Sequence, residues 1–393
     1  MRVRWGELFL ATHQNNEAVK LFQEALELDE KYAPAILGLA KVAASGFEEK
    51  TREYAKKVID EAPDQSTGAH LLLARAALED GSSIDAADQE IDRALDLIKK
   101  HDFSPLEAYA LKASADLLRG TTDSPWTKRA LALNPGYGEA YATPAYFYVI
   151  TRRYREAIAL LNKAVEVEPD LYSAHTELGV NLLRENKVAE AQQHLAIAYR
   201  GDPFSAPVVN TLRLIDSFES FVVSQHGPDT KMQGAVPNKG SILRLHKKEA
   251  PVIEPYVLDV VNRTIATYTQ RYGFELKQPV VVELYPQHDD FGVRVAGLPG
   301  IGLLGVTFGY LVAMDSPARH ADSDFHWGTT LWHEMAHVFT LEATNHLVPR
   351  WFSEGVSVYE EWTTGPLKGR HIPPQVFKAI KEGKFLPIAD LDR

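Results

Sequence analysis

YATPAYFYVITRRYREAIALLNKAVEVEPD, residues 141–170, returns 34 positions later as HTELGVNLLRENKVAEAQQHLAIAYRGDPF, residues 175–204. In that alignment Ala145 meets Gly179, Tyr148 meets Leu182, Glu156 meets Glu190 and Ala157 meets Ala191. Further along, Leu161 meets Leu195, Ala164 meets Ala198 and Pro169 meets Pro203, while Ala130 and Pro135 keep the phase one period earlier. Self-similarity at such a period marks a stack of repeated helical units. Small residues at 145, 157 and 164 let the two helices of a hairpin approach, and the proline after the second helix stops it. The opening WGELFLATHQNNEAVKLFQEALELDE, residues 5–30, fits the pattern through Gly6, Phe9, Ala18, Phe22 and Ala25. Residues 33–120 are Ala/Leu-rich with helical periodicity but drift from the register, and read as degenerate repeats. Tyr141, Tyr146, Phe147 and Tyr148 read as packing between hairpins.

The pattern resembles tetratricopeptide repeats. That resemblance implies an all-α superhelix, an α-solenoid, whose concave face holds a peptide segment or a partner protein. Asp plus Glu total 53 against 42 for Lys plus Arg, a formal net charge of −11, which argues against nucleic acid or an anionic membrane as the main partner. The chain contains no cysteine, so disulfides and thiolate metal sites are excluded. No apolar run approaches the roughly 18–20 residues of a bilayer span, and the start MRVRWGELFL lacks the apolar stretch of a signal peptide. The compartment stays undetermined, cytoplasmic or extracytoplasmic.

One more helical stretch, VVNTLRLIDSFESFVV, is followed by the polar, Gly/Pro-containing SQHGPDTKMQGAVPNKG, residues 224–240, a linker by composition. The expected division is therefore a repeat array over 1–223, a linker over 224–240 and a second domain over 241–393. The period changes there. SILRLH alternates as a strand, APVIEPYVLDVVNRTIATYTQRYGF is a long amphipathic helix, and PVVVELYP is a β-branched buried strand. GVTFGYLVAMDS reads as one further strand, preceded by the glycine-rich GLPGIGLLG. Those glycines match no phosphate-binding fingerprint and read as a turn or an open strand edge.

The chemistry is concentrated in GTTLWHEMAHVF, residues 328–339. Residues four apart on a helix share a face, so His333 and His337 present two imidazoles to one point. Glu334, about 100° away, is better placed to reach a water. Burial of three ionisable groups in such an apolar helix is costly unless something pairs with them, and a divalent zinc would. Catalytic zinc takes three protein ligands and leaves one position open. Glu354, in RWFSEGVSVYEEW and seventeen positions after His337, can fold back as the third. Glu361, two turns further, can accept a hydrogen bond from the outer nitrogen of a ligating histidine. His320, His326, His346 and His371 read as surface or loop residues, and Arg350 as a partner for a nearby carboxylate or a solvated charge.

HEMAH followed by WFSEG and VYEE resembles the gluzincin zinc metallopeptidases, thermolysin-like enzymes with an α+β zincin fold. It is most similar to the peptidase MA-like domains that bacterial proteins fuse to tetratricopeptide arrays. The resemblance covers residues 241–393 and implies His333, His337 and Glu354 as Zn2+ ligands, Glu334 as general base and Glu361 as the partner of a ligand. It implies peptide-bond hydrolysis of a peptide or protein substrate. The ligand interval is two residues shorter than in the aminopeptidase branch, and VAMDS stands where that branch carries its amine-binding motif. Both departures argue against an aminopeptidase and toward an endopeptidase or an unusual peptidase. An extended substrate is expected along Gly302, Leu303, Leu304, Gly305, Val306 and Thr307.

Such enzymes add a tyrosine or histidine from a later helical subdomain to stabilise the oxyanion. Neither Tyr359, within the helix pair, nor His371, in a Pro-rich loop, fits that role. The expectation is a chain that stops before that subdomain. The alternative reading is a repeat scaffold whose second domain binds metal or partners without turnover.

Overall fold

Close helix approach begins with glycine against an aromatic ring. A Cβ at Gly6 or at Gly38 would sit 2.5 Å from the Phe22 ring, so both neighbouring helices come to within van der Waals reach of one buried phenylalanine. In the computed structural model, which describes all residues except 47–48, 82, 229–238, 321–325, 368–373, 385–386, 388–390 and 392–393, this packing repeats along the first half. The helix pairs are α1 (Arg2–Ala11) with α2 (Asn15–Leu28), α3 (Ala33–Ser45) with α4 (Lys50–Glu61), and α5 (Thr67–Glu79) with α6 (Ile84–His101). They continue as α7 (Leu106–Leu118) with α8 (Pro125–Leu133), α9 (Glu139–Ile150) with α10 (Tyr154–Val167), and α11 (Tyr172–Arg184) with α12 (Val188–Gly201); α13 (Ala206–Ser217) follows.

The small residues expected between helices are there. Ala145, Ala157 and Ala164 are fully buried, and a Cβ at Gly179 would lie 2.6 Å from Leu195. Phe147 and Tyr148 are buried, and Tyr141 and Tyr146 pack against the neighbouring clusters. The first half is a tetratricopeptide-like helical repeat array, and the drifting residues 33–120 form regular helix pairs within it.

The second half differs from expectation at its border. The chain leaves α13 through a short 3-10 turn and enters a strand, β1 (Phe221–His226), that pairs antiparallel with β2 (Ser241–His246). Residues 221–226 thus belong to the sheet, the helical part ends at Ser217, and of the expected linker 224–240, residues 229–238 lie outside the described residues. Phe221 is buried against Tyr285, a tertiary contact that local composition does not announce.

After β2 come α14 (Ala250–Tyr272), β3 (Val280–Tyr285), α15 (His288–Ala296), β4 (Gly305–Thr307), β5 (Leu311–Asp315), α16 (Trp327–Ala343), α17 (Arg350–Thr363) and α18 (Pro374–Lys381). The sheet order is β1-β2-β3-β5-β4, with β2, β3 and β5 parallel and β4 an antiparallel edge. The expected single strand 305–316 is in fact the hairpin β4–β5. Gly309, at φ +74°, makes its turn, and the Phe308 N–H donates to the Leu311 carbonyl at 2.7 Å.

Every residue of β3 is buried, as a strand covered on both faces requires. Val280, Val282 and Leu284 face α14 and α16 in one core. Val281 and Tyr285 face the other way, into a core shared with Tyr154 and Leu214 of the repeat array. On that same face Glu283 is paired with Arg244 and, at 2.7 Å, with Arg294. Arg244 donates to Asn186 Oδ1 at 3.0 Å and Arg294 to the Leu183 carbonyl at 2.9 Å, both on the array. Burial alone would raise the Glu283 carboxyl, but the two guanidinium charges outweigh it and hold the carboxyl below its ordinary range. Among the described residues no helix is long and apolar enough to cross a membrane.

Candidate metal centre

α16 is held under the sheet by its apolar side. Leu331, Trp332, Met335, Ala336, Val338 and Phe339 are buried, and the Tyr268 hydroxyl donates to the Trp332 carbonyl at 3.0 Å. His326 accepts from the Thr329 N–H at 3.0 Å and so caps the helix. At the other end Asn345 and His346 both adopt left-handed backbone (φ 50° and 61°), and Pro349 leads into α17. Two consecutive residues of that conformation reverse the chain within a few positions, so the interval between His337 and Glu354 closes into a helical hairpin. His346 is not a plain surface residue. It is mostly buried, lies 3.2 Å from Glu342 and meets the Tyr154 ring edge-on. The side chain of His320 and the whole of His371 lie outside the described residues.

The hairpin brings three donor atoms to one point. The Nε2 atoms of His333 and His337 are 3.1 Å apart, and Glu354 Oε2 is 3.4 Å from the first and 3.3 Å from the second. One ligand atom from each residue lies within 4.8 Å of the others. The outer nitrogens are anchored: His333 Nδ1 to Glu361, and His337 Nδ1 to Ser353 Oγ at 2.7 Å. Ser353 in turn lies 2.8 Å from Thr340 Oγ1. With the outer nitrogens held by those groups, each imidazole can turn an Nε2 lone pair inward. This donor set fits a zinc-type ion. Ser353 was not expected; as the residue before Glu354 it lies on the adjacent helix face, and only the helix crossing brings it to His337.

Burial opposes a proton on His333, but its hydrogen bonds to Glu354 and Glu361 outweigh this and push it up to about 9. The same hydrogen bonds, to His333 and His337, hold Glu354 far below the carboxylate range. Burial raises Glu334.

Glu334 is fixed by the sheet edge. The Thr307 hydroxyl lies 2.7 Å from Glu334 Oε2 and donates to it, and a Cβ at Gly305 would stand 2.8 Å from Glu334 Oε1. The expected substrate segment Gly302, Leu303, Leu304, Gly305, Val306 and Thr307 lines one wall of a cleft of about 530 Å³, with His333, Glu334, His337, Glu354 and Glu361 on the other. Thr307 therefore has a role beyond lining, since it orients the glutamate. Leu304 pairs with Asp315 and Phe308 with Leu311 across the hairpin. By antiparallel alternation the N–H and C=O groups of Gly305 and Thr307 point away from β5, to a side that carries no strand among the described residues. Arg350 lies 3.8 Å from Glu354 Oε1.

No protein-family model matches the chain, and no curated protein matches it. Among solved structures it is similar to YrrB, a tetratricopeptide protein with an unusual peptide-binding site, at 15% identity over 49% of this chain and 97% of that one, TM-score 0.28. It is similar to TTC0263, a tetratricopeptide protein of Thermus thermophilus, at 19% identity over 55% of this chain and 96% of that one, TM-score 0.34. It is also similar to the TPR2AB domain of yeast Sti1 in its pHSP90 complex, at 16% identity over 55% of this chain and 95% of that one, TM-score 0.22. These likenesses concern helical repeats and say nothing of the cleft.

Proposed function

We propose that the chain is a zinc-dependent metallopeptidase, an endopeptidase, whose repeat array binds peptide or protein partners on its concave face. The observation that carries the reading is the convergence of His333, His337 and Glu354 within 4.8 Å, beside a glutamate locked to an open strand edge. His333, His337 and Glu354 would hold the zinc. When bound, zinc supplies Lewis-acid chemistry, polarising a peptide carbonyl and raising the acidity of water.

The chain's own groups do the rest. The free N–H and C=O groups of Gly305 and Thr307 pair with an extended peptide and set its scissile carbonyl over the site. Glu334, held at Oε2 by Thr307, keeps Oε1 for the proton of the attacking water and then returns that proton to the leaving amine nitrogen. Its buried position raises its proton affinity, which suits a group that must both take and give a proton. Ser353 and Glu361 keep the imidazoles oriented.

The test is metal analysis joined to a peptide-library cleavage assay. Glu334→Gln is expected to keep stoichiometric zinc and lose hydrolysis; cleavage undiminished in that variant sinks the proposal. The second reading, a metal- or partner-binding scaffold without turnover, draws support from the repeat architecture alone. It is favoured if zinc-loaded protein cleaves nothing across the library.

A further inference from the structure

Arg152 belongs to the repeat array yet lines the candidate metal cleft. It sits in the turn between α9 and α10 with φ +62°, left-handed backbone that side chains other than glycine and asparagine rarely adopt. The corresponding turn between α11 and α12 carries Asn186 at φ +59°, and the turns after α5 and α7 carry Gly81 and Gly120 at φ +65° and +91°. The turn between α1 and α2 carries His13 at φ +60°, so Arg152 is the long, flexible cation at a turn that glycine, asparagine and histidine occupy elsewhere in the array. Strained backbone of this kind directs attention to what the side chain does.

Its neighbours are occupied. Arg153 donates to Glu156 at 2.9 Å and stacks on the Tyr148 ring, and Arg155 donates to Glu185 at 3.1 Å and reaches Glu342 and the Tyr310 ring in the second half. Arg152 also points across to the second half, but into the cleft. Among the described residues its ionic partner is Glu354 Oε1 at 3.9 Å, with the side chain 26% exposed. That separation is beyond a hydrogen bond, and a guanidinium has five N–H donors in a planar fork. Glu354 turns its other oxygen toward the two imidazoles, so the guanidinium faces the cleft with donors to spare.

We propose that Arg152 is an anion-binding residue of this cleft, beside Arg350, which also lies near Glu354 Oε1, so that the repeat array completes the site. It binds an anionic oxygen of the bound peptide by charge-assisted hydrogen bonds. That oxygen is either a substrate carboxylate or the carbonyl oxygen as it gains charge during hydrolysis. Arg152 transfers no proton; the proton inventory remains with Glu334. The proposal rests on the peptidase reading, and an equilibrium measurement separates the two.

The experiment uses the full, zinc-loaded chain with Arg152→Met and Arg152→Lys. The first measurement titrates a phosphonate peptide, a stable anionic probe, into Glu334→Gln with and without Arg152→Met. About a tenfold to hundredfold weakening is expected, as for loss of a hydrogen bond to a charged group, with zinc stoichiometry and melting unchanged. Arg152→Lys, which keeps the charge without the fork, is expected to fall between. The second measurement compares kcat and KM on matched peptides with and without a carboxylate. A uniform fall in kcat identifies the developing oxyanion, and a rise in KM confined to carboxylate peptides identifies the ground-state anion. Phosphonate affinity unchanged in both variants, no phosphonate binding by the parent, or zinc loss in step with the effect overturns the proposal. Phosphonate binding that depends on Arg152 in a protein that cleaves nothing upholds it while removing the peptidase reading.

Discussion

Two clusters of charged groups lie on opposite sides of the same sheet half, and they solve the cost of burial in opposite ways. Around Glu283 the solution is internal. One carboxylate, fully buried, meets Arg244 and Arg294, and both guanidiniums find further acceptors on the array. Around His333, His337 and Glu354 the inward-facing atoms are two imidazole nitrogens and a carboxylate oxygen, with the outer nitrogens already engaged. Such a set attracts a cation from outside. The first cluster meets its charges with partners inside the protein, with Arg294 Nη1 left unpartnered among the described residues; the second, as proposed above, leaves its inward donors for an ion. The lesson is that the disposition of hydrogen-bond partners, more than the number of buried charges, separates scaffold from chemistry.

The largest effect is expected from opening the metal cluster further. His337→Ala removes one of the three proposed ligands, and under stoichiometric loading it should retain less than about a tenth of the parent's zinc. The parent should melt higher with zinc, by about 2.7 kcal/mol at a hundredfold excess over Kd, and His337→Ala should not respond. A full zinc complement in that variant breaks the comparison from one side.

Opening the Glu283 cluster comes next. Glu283→Leu leaves two guanidiniums buried without their partner and should cost about 3–5 kcal/mol in denaturant unfolding. The triple change Arg244→Met, Glu283→Leu, Arg294→Met should recover most of that loss, because apolar residues can replace a self-contained ion cluster. A single change that costs less than about 1 kcal/mol contradicts the closed description. The pH dependence follows by linkage. The native carboxyl is held below its ordinary value of 4.5, so its contribution is full above that pH and fades as pH falls through the lower native value. The stability gap between the parent and Glu283→Gln should therefore narrow only below pH 4.5.

Smaller effects come from the groups that orient. Glu361→Gln should weaken zinc about 10- to 100-fold, the usual cost of losing a partner on a ligating histidine. Thr307→Val should leave zinc affinity unchanged and lower kcat by about tenfold, since it frees Glu334 to turn. Equal loss of zinc in Thr307→Val would place that residue among the metal's supports instead.

Local repetition carried much of this architecture into the sequence. The 34-residue recurrence of Ala145/Gly179 and Ala164/Ala198 announces helix pairs because each contact repeats at a fixed interval. The histidines four apart, with Glu354 seventeen further on, are legible because a helical hairpin converts spacing into proximity. What was not legible rests on partners that no interval relates. Glu283 meets Arg244 across neighbouring strands, Tyr154 meets Phe308, and Arg152 reaches Glu354 from the other half of the chain. Strand β1 and the split of 305–316 at Gly309 were missed for the same reason, since pairing across a sheet decides them.

Tyr154, at the start of α10, packs edge-on against Phe308 at 5.9 Å, in the turn that ends β4. Two residues back along that strand is Thr307's neighbour Val306, then Gly305 against the Glu334 carboxylate. The repeat array and the strand wall of the cleft are therefore joined through one shared aromatic core, so that a large-to-small change at Tyr154 loosens the wall from the array side.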